Sequence, residues 1–368
     1  MTAMTPPDAR PDSGPVATGL DLSLHIVELT AALVDIESVS GDERTITDAI
    51  EASLADVGWL DLWRHQNSLV ARTHLGRGER VVIAGHVDTV PLNSNLPSRS
   101  DGERLHGLGA CDMKGGVAVA LTLAAGLPQP NRDVTYVFYE AEEVEAERNG
   151  LTLISAVRPE ILQADFAVLM EPSNAVVEAG CQGSMHVDVA ASGVRAHSAR
   201  WWNGVNAIHA ASAILDRLTA YEPRRPVLDG LRYHEGLNAV GISGGVAGNV
   251  LPDRCTVSVN YRFAPDRGLE EAERHLREVF DGYQVTVRDA APGALPGLDR
   301  PAAAAFVDAV GGEVNPKFGW TDVSRFSALG VPAVNFGPGN PELAHTQGEF
   351  VPHVQLESCL AEMRDWLS

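Results

Sequence analysis

Cysteine is scarce in this sequence. The 368 residues include four cysteines, at positions 111, 181, 255 and 359. They lie far apart, and no two of them form a C-x-x-C pair. This spacing predicts neither a thiolate zinc knuckle nor a disulfide framework.

Long apolar runs are also missing. No window approaches the roughly 20 apolar residues that a membrane-spanning helix requires. The first stretch, "MTAMTPPDARPDSGPVATG", lacks a long apolar segment behind a basic start. It is typical of a mobile polar leader, over residues 1–20, rather than of a signal peptide. We therefore expect a cytoplasmic protein with no membrane partner.

Positive charge is in short supply: 28 Lys and Arg stand against 49 Asp and Glu, which gives a formal charge of -21. Such a chain repels phosphate backbones, so we expect no nucleic-acid partner. Some of the carboxylates could serve as metal ligands. The length and the 45% hydrophobic content indicate a soluble globular protein of two domains.

Short apolar runs alternate with helical segments over residues 21–182 and 296–368. The runs expected to be strands are "RVVIAG", "VTYVFYE", "DFAVLM" and "PAVNFG", and the helical segments include "GGVAVALTLAAGL" and "NGLTLISAV". This alternation predicts an α/β domain with a mostly parallel sheet. Ligands of such sheets lie beyond the carboxyl ends of the strands.

Residues 183–295 follow a different pattern. Strand-like "SMHVDVAASG" is followed by helical "NAIHAASAILDRL", two further strands, the helix "LEEAERHLREVF" and the strand "YQVTVRD". The order β-α-β-β-α-β is that of a ferredoxin-like unit. We predict that it forms a second domain, inserted into the first.

The segment "ERVVIAGHVDTVP", residues 79–91, places His86 and Asp88 at the end of a buried strand. Residues i and i+2 of a strand point to the same side. A metal-bound histidine needs an acceptor for its other N–H, and a carboxylate often provides one. Asp88 could orient a metal-bound residue in this way, although a loop histidine capped by an aspartate is an equally ordinary explanation.

Two further segments place carboxylates at chain turns. Asp112, in "GLGACDMKGG", precedes a helix and would, taken alone, be typical of a helix cap. Glu142 and Glu143 follow the strand "VTYVFY", where one could bind metal while its neighbour holds a water. Because Glu145 and Glu147 follow, a solvated acidic run also explains this segment.

The last two candidates follow strands as well. Glu171 comes directly after "DFAVLM", where an unpaired buried carboxylate would be costly, so it is either exposed or coordinated. His345 lies in a Gly/Pro loop after "PAVNF" and, taken alone, is typical of a surface histidine. Together with His86, Asp112 and Glu143 these residues form a nitrogen and oxygen ligand set that suits zinc. Five side chains exceed one catalytic zinc and suit two metals roughly 3.5–4 Å apart that share a carboxylate.

Several segments, in order from about residue 25 to the C-terminus, resemble the dinuclear zinc deacylases and peptidases. This family includes carboxypeptidase G, acetylornithine deacetylase and succinyl-diaminopimelate desuccinylase. The matching segments are "GHVDTVP", "GLGACDMKGG", "EAEEVEAERNG", "MEPSN", "RAHSARWWNGVNAIH", "GNVLPDRC" and "AHTQGEFV". The block "GWTDVSRFSALGVPAVNFGPGNPELAH" looks most like the desuccinylases, particularly the actinobacterial kind.

The resemblance implies a zinc-peptidase catalytic domain and an inserted ferredoxin-like α+β lid domain through which the protein forms a homodimer. It also implies two divalent metal ions, zinc with cobalt as an alternative. By the same resemblance, His86 and Glu171 hold one metal, Glu143 and His345 hold the other, and Asp112 bridges the two.

Further roles come from the same resemblance. Glu142 matches the family's general base, and Asp88 supports the metal ligands. His197, in "GVRAHSAR", matches a histidine that reaches the active site of the partner subunit, although a loop histidine beside Ser198 is the plainer explanation. The positions that match substrate contacts of relatives are Asn249, Arg262, Thr321 and Asn340.

The chain departs from the family pattern in places. Ala141 stands where the commoner signature has an acid, and Leu108 stands where many relatives have an arginine. Near the lid hinge, Gln182 replaces an arginine of well-studied desuccinylases, which puts one carboxylate contact in doubt. Gly348 replaces the usual Asn or Asp before Glu349.

The expected reaction is hydrolysis of the amide bond of N-succinyl-LL-2,6-diaminopimelate, a small N-acyl amino acid, to succinate and LL-2,6-diaminopimelate in lysine and diaminopimelate biosynthesis. N-acetylornithine deacetylation is the nearest alternative, and a dipeptidase of the same family is another. A catalytically inactive metal-binding module is the alternative from a different class.

Overall fold

The computed structural model of the protein describes residues 19–368. The predicted leader, residues 1–20, falls outside this range except for its last two residues. Within residues 19–368, no helix combines the length and the apolar character needed to cross a bilayer.

The helices account for most of the apolar segments predicted to be helical. The α-helices of the described chain are α1 Ile26–Val34, α2 Arg44–Leu54, α3 Gly115–Gly126, α4 Gly150–Val157, α5 Ala207–Ala210, α6 Ser212–Thr219, α7 Leu269–Val279, α8 Pro301–Ala309, α9 Val323–Ala328 and α10 His353–Leu367. Tighter or wider single turns occur at Pro159–Ile161, Ser198–Asn203 and Pro341–Leu343, which are 3₁₀ turns, and at Ala110–Lys114, a π turn.

The strands are short, as expected for segments bounded by Gly, Pro and polar residues. They are β1 Asp61–His65, β2 Ser68–Arg72, β3 Arg80–His86, β4 Arg99–Ser100, β5 Arg104–His106, β6 Asp133–Tyr139, β7 Phe166–Leu169, β8 Val177–Ala179, β9 Gly183–Ser192, β10 Ala196–His197, β11 Val227–Leu228, β12 Leu231–Arg232, β13 Gly236–Gly244, β14 Val250–Leu251, β15 Arg254–Phe263, β16 Gln284–Ala291, β17 Val314–Pro316, β18 Ala333–Asn335 and β19 Phe350–Pro352.

The larger sheet has the order β1-β2-β6-β3-β7-β18-β8-β17. Its centre, from β6 to β18, is parallel. Antiparallel pairing joins β2 to β6 on one side and β18 to β8 on the other. The prediction of an α/β fold with a mostly parallel sheet is confirmed.

Both faces of this sheet are covered, so its central strands are almost entirely buried and consist mainly of apolar residues. Along β3, Val81 and Ile83 pack into the cluster that contains α1, α3, α8 and α10. The alternate residues Val82 and Ala84 pack into the cluster that contains α4 and α9. This three-layer arrangement explains why the strands show unbroken apolar runs instead of alternation.

The smaller sheet has the order β13-β15-β9-β16 and is antiparallel throughout. Helices α5, α6 and α7 contribute Ala207, Ile214 and Leu276 to the core on one of its faces. The strand order and the β-α-β-β-α-β succession are those of a ferredoxin-like unit, as the sequence pattern predicts.

The chain enters and leaves the smaller sheet at one place. Cys181 and Ala294 exchange backbone hydrogen bonds of 3.0 Å in both directions. The predicted domain boundaries, after 182 and after 295, lie beside this bridge. The division into a catalytic and a dimerisation domain remains a prediction.

Candidate metal centre

The predicted ligands follow neighbouring strands of the larger sheet. His86 ends β3, Glu142 and Glu143 follow β6, and Glu171 follows β7. Because these three strands are adjacent and parallel, their carboxyl ends meet at one edge of the sheet. Three turns of irregular backbone therefore present polar side chains to a common space.

Asp112 reaches the same edge from the irregular turn before α3, where its own backbone is not helical. That helix packs closely on the strand end, since a Cβ on Gly116 would lie 2.1 Å from the backbone oxygen of Met170. Only glycine permits this approach. The "KGG" sequence after Asp112 thus brings the turn against the residue that precedes Glu171.

The side chains converge in three overlapping groups of possible metal ligands, each with donor atoms within 4.8 Å of one another. The groups are His86, Asp112 and Glu171; His86, Glu142 and Glu143; and Asp112, Glu143 and His345. These groups include every residue predicted to be a metal ligand and also Glu142, the predicted general base.

Asp112 lies between the two histidines. Its Oδ1 is 3.1 Å from His86 Nε2, and its Oδ2 is 3.5 Å from His345 Nε2. The second histidine also approaches Glu143, with 2.8 Å between His345 Nε2 and Glu143 Oε1. One carboxylate that offers a separate oxygen to each side is the geometry required of a bridging ligand.

Asp88 is fully buried and connects two of the strand ends. Its backbone oxygen lies 3.1 Å from His86 Nδ1, and its carboxylate accepts the backbone N–H groups of Glu142 at 3.0 Å and Glu143 at 3.2 Å. Ser40 Oγ donates to the same carboxylate at 2.7 Å. Asp88 therefore fixes the orientation of the His86 ring and of the Glu142–Glu143 turn at once.

The turn that carries the two glutamates is conformationally strained. Ala141 has φ +57°, a left-handed conformation that alanine adopts less readily than Asp or Asn. Its N–H donates to Glu43 Oε1 at 3.2 Å. Ala141 is also the position at which the chain departs from the family signature. Its surroundings hold its backbone in the left-handed conformation.

Burial raises the pKa values of two acids of the site. It raises the pKa of Glu171 to about 8, with a further contribution from Asp112, and it raises the pKa of Glu142 well above its usual value. Hydrogen bonds with Asp112 and Glu143 raise the pKa of His345 to about 10. Burial opposes the charge of His86, yet hydrogen bonds with Asp112 and Asp88 raise its pKa.

The residues fit a divalent cation. Glu171 Oε1 is buried and has no hydrogen-bond partner, a costly state unless a positive charge meets it. Glu142 and Glu171 resist ionisation on their own, as their raised pKa values indicate, and a cation would favour their charged forms. Imidazole nitrogens and carboxylate oxygens are the donors that zinc and its neighbours accept.

The centre lies at the base of a cleft of about 180 Å³. Its lining residues are Asp112, Glu142, Glu143, Glu171, Pro172, Lys317, Trp320, Thr321, Pro341, Ala344 and His345. Thr321, a predicted substrate contact, is among them, and its Oγ1 is buried without a hydrogen-bond partner. Asn340 lies beside the cleft, where its side chain caps the Pro341–Leu343 turn through Glu342 N at 2.9 Å.

The remaining predicted contacts lie within the inserted segment, residues 183–295. His197, in β10, is exposed and pairs with β14, and the Asn249 backbone oxygen accepts the N–H of Ser198 at 2.9 Å. Arg262 is half-buried at the end of β15, where burial lowers its pKa. Within residues 19–368, the lining of the cleft includes none of these three.

Two further arginines, Arg195 and Arg325, are engaged in ion pairs. Arg195 pairs with Asp253 at 2.8 Å. Arg325 pairs with the buried Asp322 and donates to Thr152 Oγ1 at 2.6 Å. Both therefore act as ion-pair residues.

Residue-type reasoning missed the role of Glu349. This buried carboxylate accepts backbone N–H groups from Gly109 at 3.1 Å, Cys111 at 3.0 Å and Asp112 at 3.2 Å. It thereby ties the loop that carries His345 to the loop that carries Asp112. The available signal was a lone acid before the apolar "FV", which is too common a feature to single out a position.

Known proteins resemble this chain over nearly its whole length. Residues 82–367 match the family described as Peptidase family M20/M25/M40. A protein of Mycobacterium tuberculosis (strain H37Rv), which carries the provisional name succinyl-diaminopimelate desuccinylase DapE, is 52% identical over 351 residues, 95% of this chain and 99% of that protein. The succinyl-diaminopimelate desuccinylase of Corynebacterium glutamicum is 46% identical over 361 residues, 95% and 98% of the two chains.

Solved structures share the fold at low identity. A tripeptidase of Staphylococcus aureus has a TM-score of 0.77 at 22% identity and covers 93% of this chain and 96% of its own. An M20 family metallo-carboxypeptidase of Sulfolobus solfataricus has a TM-score of 0.75 at 14% identity, with 94% and 98% covered. At these identities the similarity concerns the fold alone.

Proposed function

Because this chain belongs to the M20/M25/M40 peptidase family, we propose that it hydrolyses the amide bond of N-succinyl-LL-2,6-diaminopimelate. The products are succinate and LL-2,6-diaminopimelate, an intermediate of lysine biosynthesis. The names of the relatives at 52% and 46% identity support this substrate. The main support for metal-dependent hydrolysis is that two histidines and four carboxylates converge at one cleft.

The site holds two divalent metal ions in this proposal, zinc or, as an alternative, cobalt. His86 and Glu171 would hold one ion, Glu143 and His345 the other, and Asp112 would contact both. The distances from the Asp112 oxygens to the two histidines support this assignment. When bound, the ions supply a water of lowered pKa and polarise the scissile carbonyl.

Glu142 is the general base of the proposed reaction. It lines the cleft beside the ligands, and burial raises its pKa towards the range in which a carboxylate can both take and return a proton near neutrality. It takes a proton as the water oxygen bonds to the acyl carbon. It then gives that proton to the nitrogen as the carbon–nitrogen bond breaks, which releases the amine.

The four-stranded sheet forms a lid and dimer interface in this proposal. His197 of the partner subunit would donate a hydrogen bond to the developing oxyanion. Its exposure on β10, outside the cleft of its own chain, supports a role in a second copy. Asn249, which directly precedes the paired strand β14, would contact the substrate from the same region.

Substrate carboxylates call for cations and neutral donors. Arg262 is a half-buried arginine for which no acceptor lies within hydrogen-bond distance in the described chain, so it is available to a substrate carboxylate. Thr321 and Asn340 would contribute from the cleft side. We place the enzyme in the cytoplasm, since all four cysteines are free and buried, as is usual in a reducing compartment.

The test is hydrolysis by zinc-loaded protein of N-succinyl-LL-2,6-diaminopimelate and N-acetylornithine, assayed side by side at equal concentration. We expect the succinyl substrate to have the larger kcat/KM. A large preference for N-acetylornithine would overturn the substrate, and turnover of neither compound at full metal occupancy would overturn the reaction.

A further inference from the structure

The chain uses lysine very sparingly, and both of its lysines are buried. The 28 basic residues include two lysines, Lys114 and Lys317, and the others are arginine. Lys114 is 1% exposed and Lys317 is 6% exposed, whereas lysine is ordinarily a surface residue. A chain that otherwise uses arginine keeps an ammonium where a compact charge with three donors is needed.

The two lysines differ in their surroundings. Lys114 points away from the cleft and donates to the Ile36 backbone oxygen at 2.6 Å. Lys317 lines the cleft, on the wall formed with Trp320 and Thr321. Within the described residues, it is the one Lys or Arg in that lining, opposite four carboxylates.

The Lys317 ammonium is held in place from behind. Its Nζ donates to Glu178 Oε2 at 2.6 Å and to the Pro172 backbone oxygen at 3.1 Å. These contacts use two of its three N–H donors. A buried ammonium fixed in this way keeps one donor for a ligand and loses little side-chain entropy when that ligand binds.

A neutral group accompanies this cation. Thr321 is 4% exposed, lines the same wall, and its buried Oγ1 has no hydrogen-bond partner. Gln182, which stands where an arginine was expected, supplies no positive charge, and its Oε1 accepts the N–H of His234 at 3.2 Å.

We infer that Lys317, together with Thr321, forms a carboxylate-binding subsite on the wall of the cleft, which recognises one carboxylate of the substrate. The inference rests on the proposed function and deepens it, since it assigns substrate recognition to a lysine that no resemblance pointed to. An acidic cleft requires such a cation to accept a substrate that carries three carboxylates.

The experiment compares the substrate with three analogues that each lack one carboxylate. N-acetyl-LL-2,6-diaminopimelate lacks the one on the acyl chain, Nα-succinyl-L-lysine lacks the distal one, and Nε-succinyl-L-lysine lacks the one beside the scissile nitrogen. Affinity is read as KM or, for slow compounds, as a competitive inhibition constant. The variants are Lys317→Met and the pair Lys317→Met with Glu178→Gln, which avoids a buried unpaired carboxylate.

We expect both variants to weaken affinity for the full substrate by about 10- to 100-fold, the loss typical of a charge-assisted hydrogen bond. For one analogue, the same substitutions should weaken affinity by about 2-fold or less. The carboxylate that this analogue lacks is then the one that Lys317 binds. Bound zinc should be unchanged. Arg288→Met, which removes an exposed arginine paired with Asp188 on the smaller sheet, is the matched control and should alter no affinity.

Two results would overturn the inference. An equal loss on all four compounds would mean that no single carboxylate depends on Lys317. A loss of bound zinc would mean that Lys317 instead braces the Glu171–Pro172 turn. Either result is distinct from failure of the proposed function, in which the unaltered enzyme would not hydrolyse the succinyl substrate.

Discussion

Glu349 offers a direct test of how the Asp112 loop is held, because its carboxylate contacts only backbone N–H groups there. Oε1 accepts from Cys111 and Asp112, and Oε2 accepts from Gly109. In Glu349→Gln, the retained oxygen can keep the first two bonds, while the new NH₂ group faces the N–H of Gly109. In Glu349→Ala all three acceptor contacts are lost.

The structure sets the expected magnitudes. One buried donor left without a partner costs about 1–3 kcal/mol, so Glu349→Gln should lose roughly that much stability. Glu349→Ala should lose more, about 3–6 kcal/mol if the three losses partly add. Because the released loop carries a predicted metal ligand, zinc affinity should fall about 10- to 100-fold, as it does when supporting contacts of a metal site are removed.

The assay is calorimetric titration of the metal-free variants with zinc, with chemical denaturation of the same samples. Glu342→Gln is the matched control, since this exposed acid lies on the same segment and its side chain has no buried partner. It should leave both quantities within about 0.5 kcal/mol of the original protein. If Glu349→Ala bound zinc with unchanged affinity and stoichiometry, Glu349 would not hold the Asp112 loop for metal binding.

Four further outcomes are expected. Glu142→Gln should keep bound metal and lower kcat by about 10²–10⁴, measured by amide hydrolysis, and an effect below tenfold would remove it as the base. His197→Ala should also keep metal and lower kcat by about 10²–10³; near-normal turnover would exclude it from the reaction. The pKa of Glu171 is raised to about 8 and that of His345 to about 10, so both groups must lose protons to bind metal. Zinc affinity should therefore rise from pH 6 to 8 by up to about tenfold per pH unit for each proton released. A zinc affinity that does not change with pH would contradict this. Phe306→Ala, in a fully buried aromatic cluster, should destabilise the protein by about 3–5 kcal/mol in denaturation without changing zinc stoichiometry.

Much of the fold could be predicted because local pattern and tertiary environment agree. The apolar runs of β3, β6, β7 and β18 are unbroken since helices cover both faces of the sheet. The edge hairpin of β1 and β2 was not predicted, and neither was the short β8, which runs antiparallel to β18. Edge and inserted strands carry weak patterns, because their pairing depends on neighbours that are distant in sequence.

In the acidic run after β6, residue types alone do not show which glutamates belong to the site. Four glutamates stand within six residues, and the spacing alone does not choose among them. The structure turns Glu142 and Glu143 into the cleft because Asp88 accepts their N–H groups. It leaves Glu145 and Glu147 exposed.

The sequence by itself determined which strands carry polar residues at their ends and which side chains could bind a metal, because strand burial and ligand chemistry are local properties of residue type and order. Only the tertiary structure decided that one oxygen of Asp112 lies near His86 and the other near His345. It alone decided that Glu349 holds the Asp112 loop and that Lys317 lines the cleft. Those contacts join residues up to some 240 positions apart, and their geometry follows from strand order and from loops that the packed layers bring together.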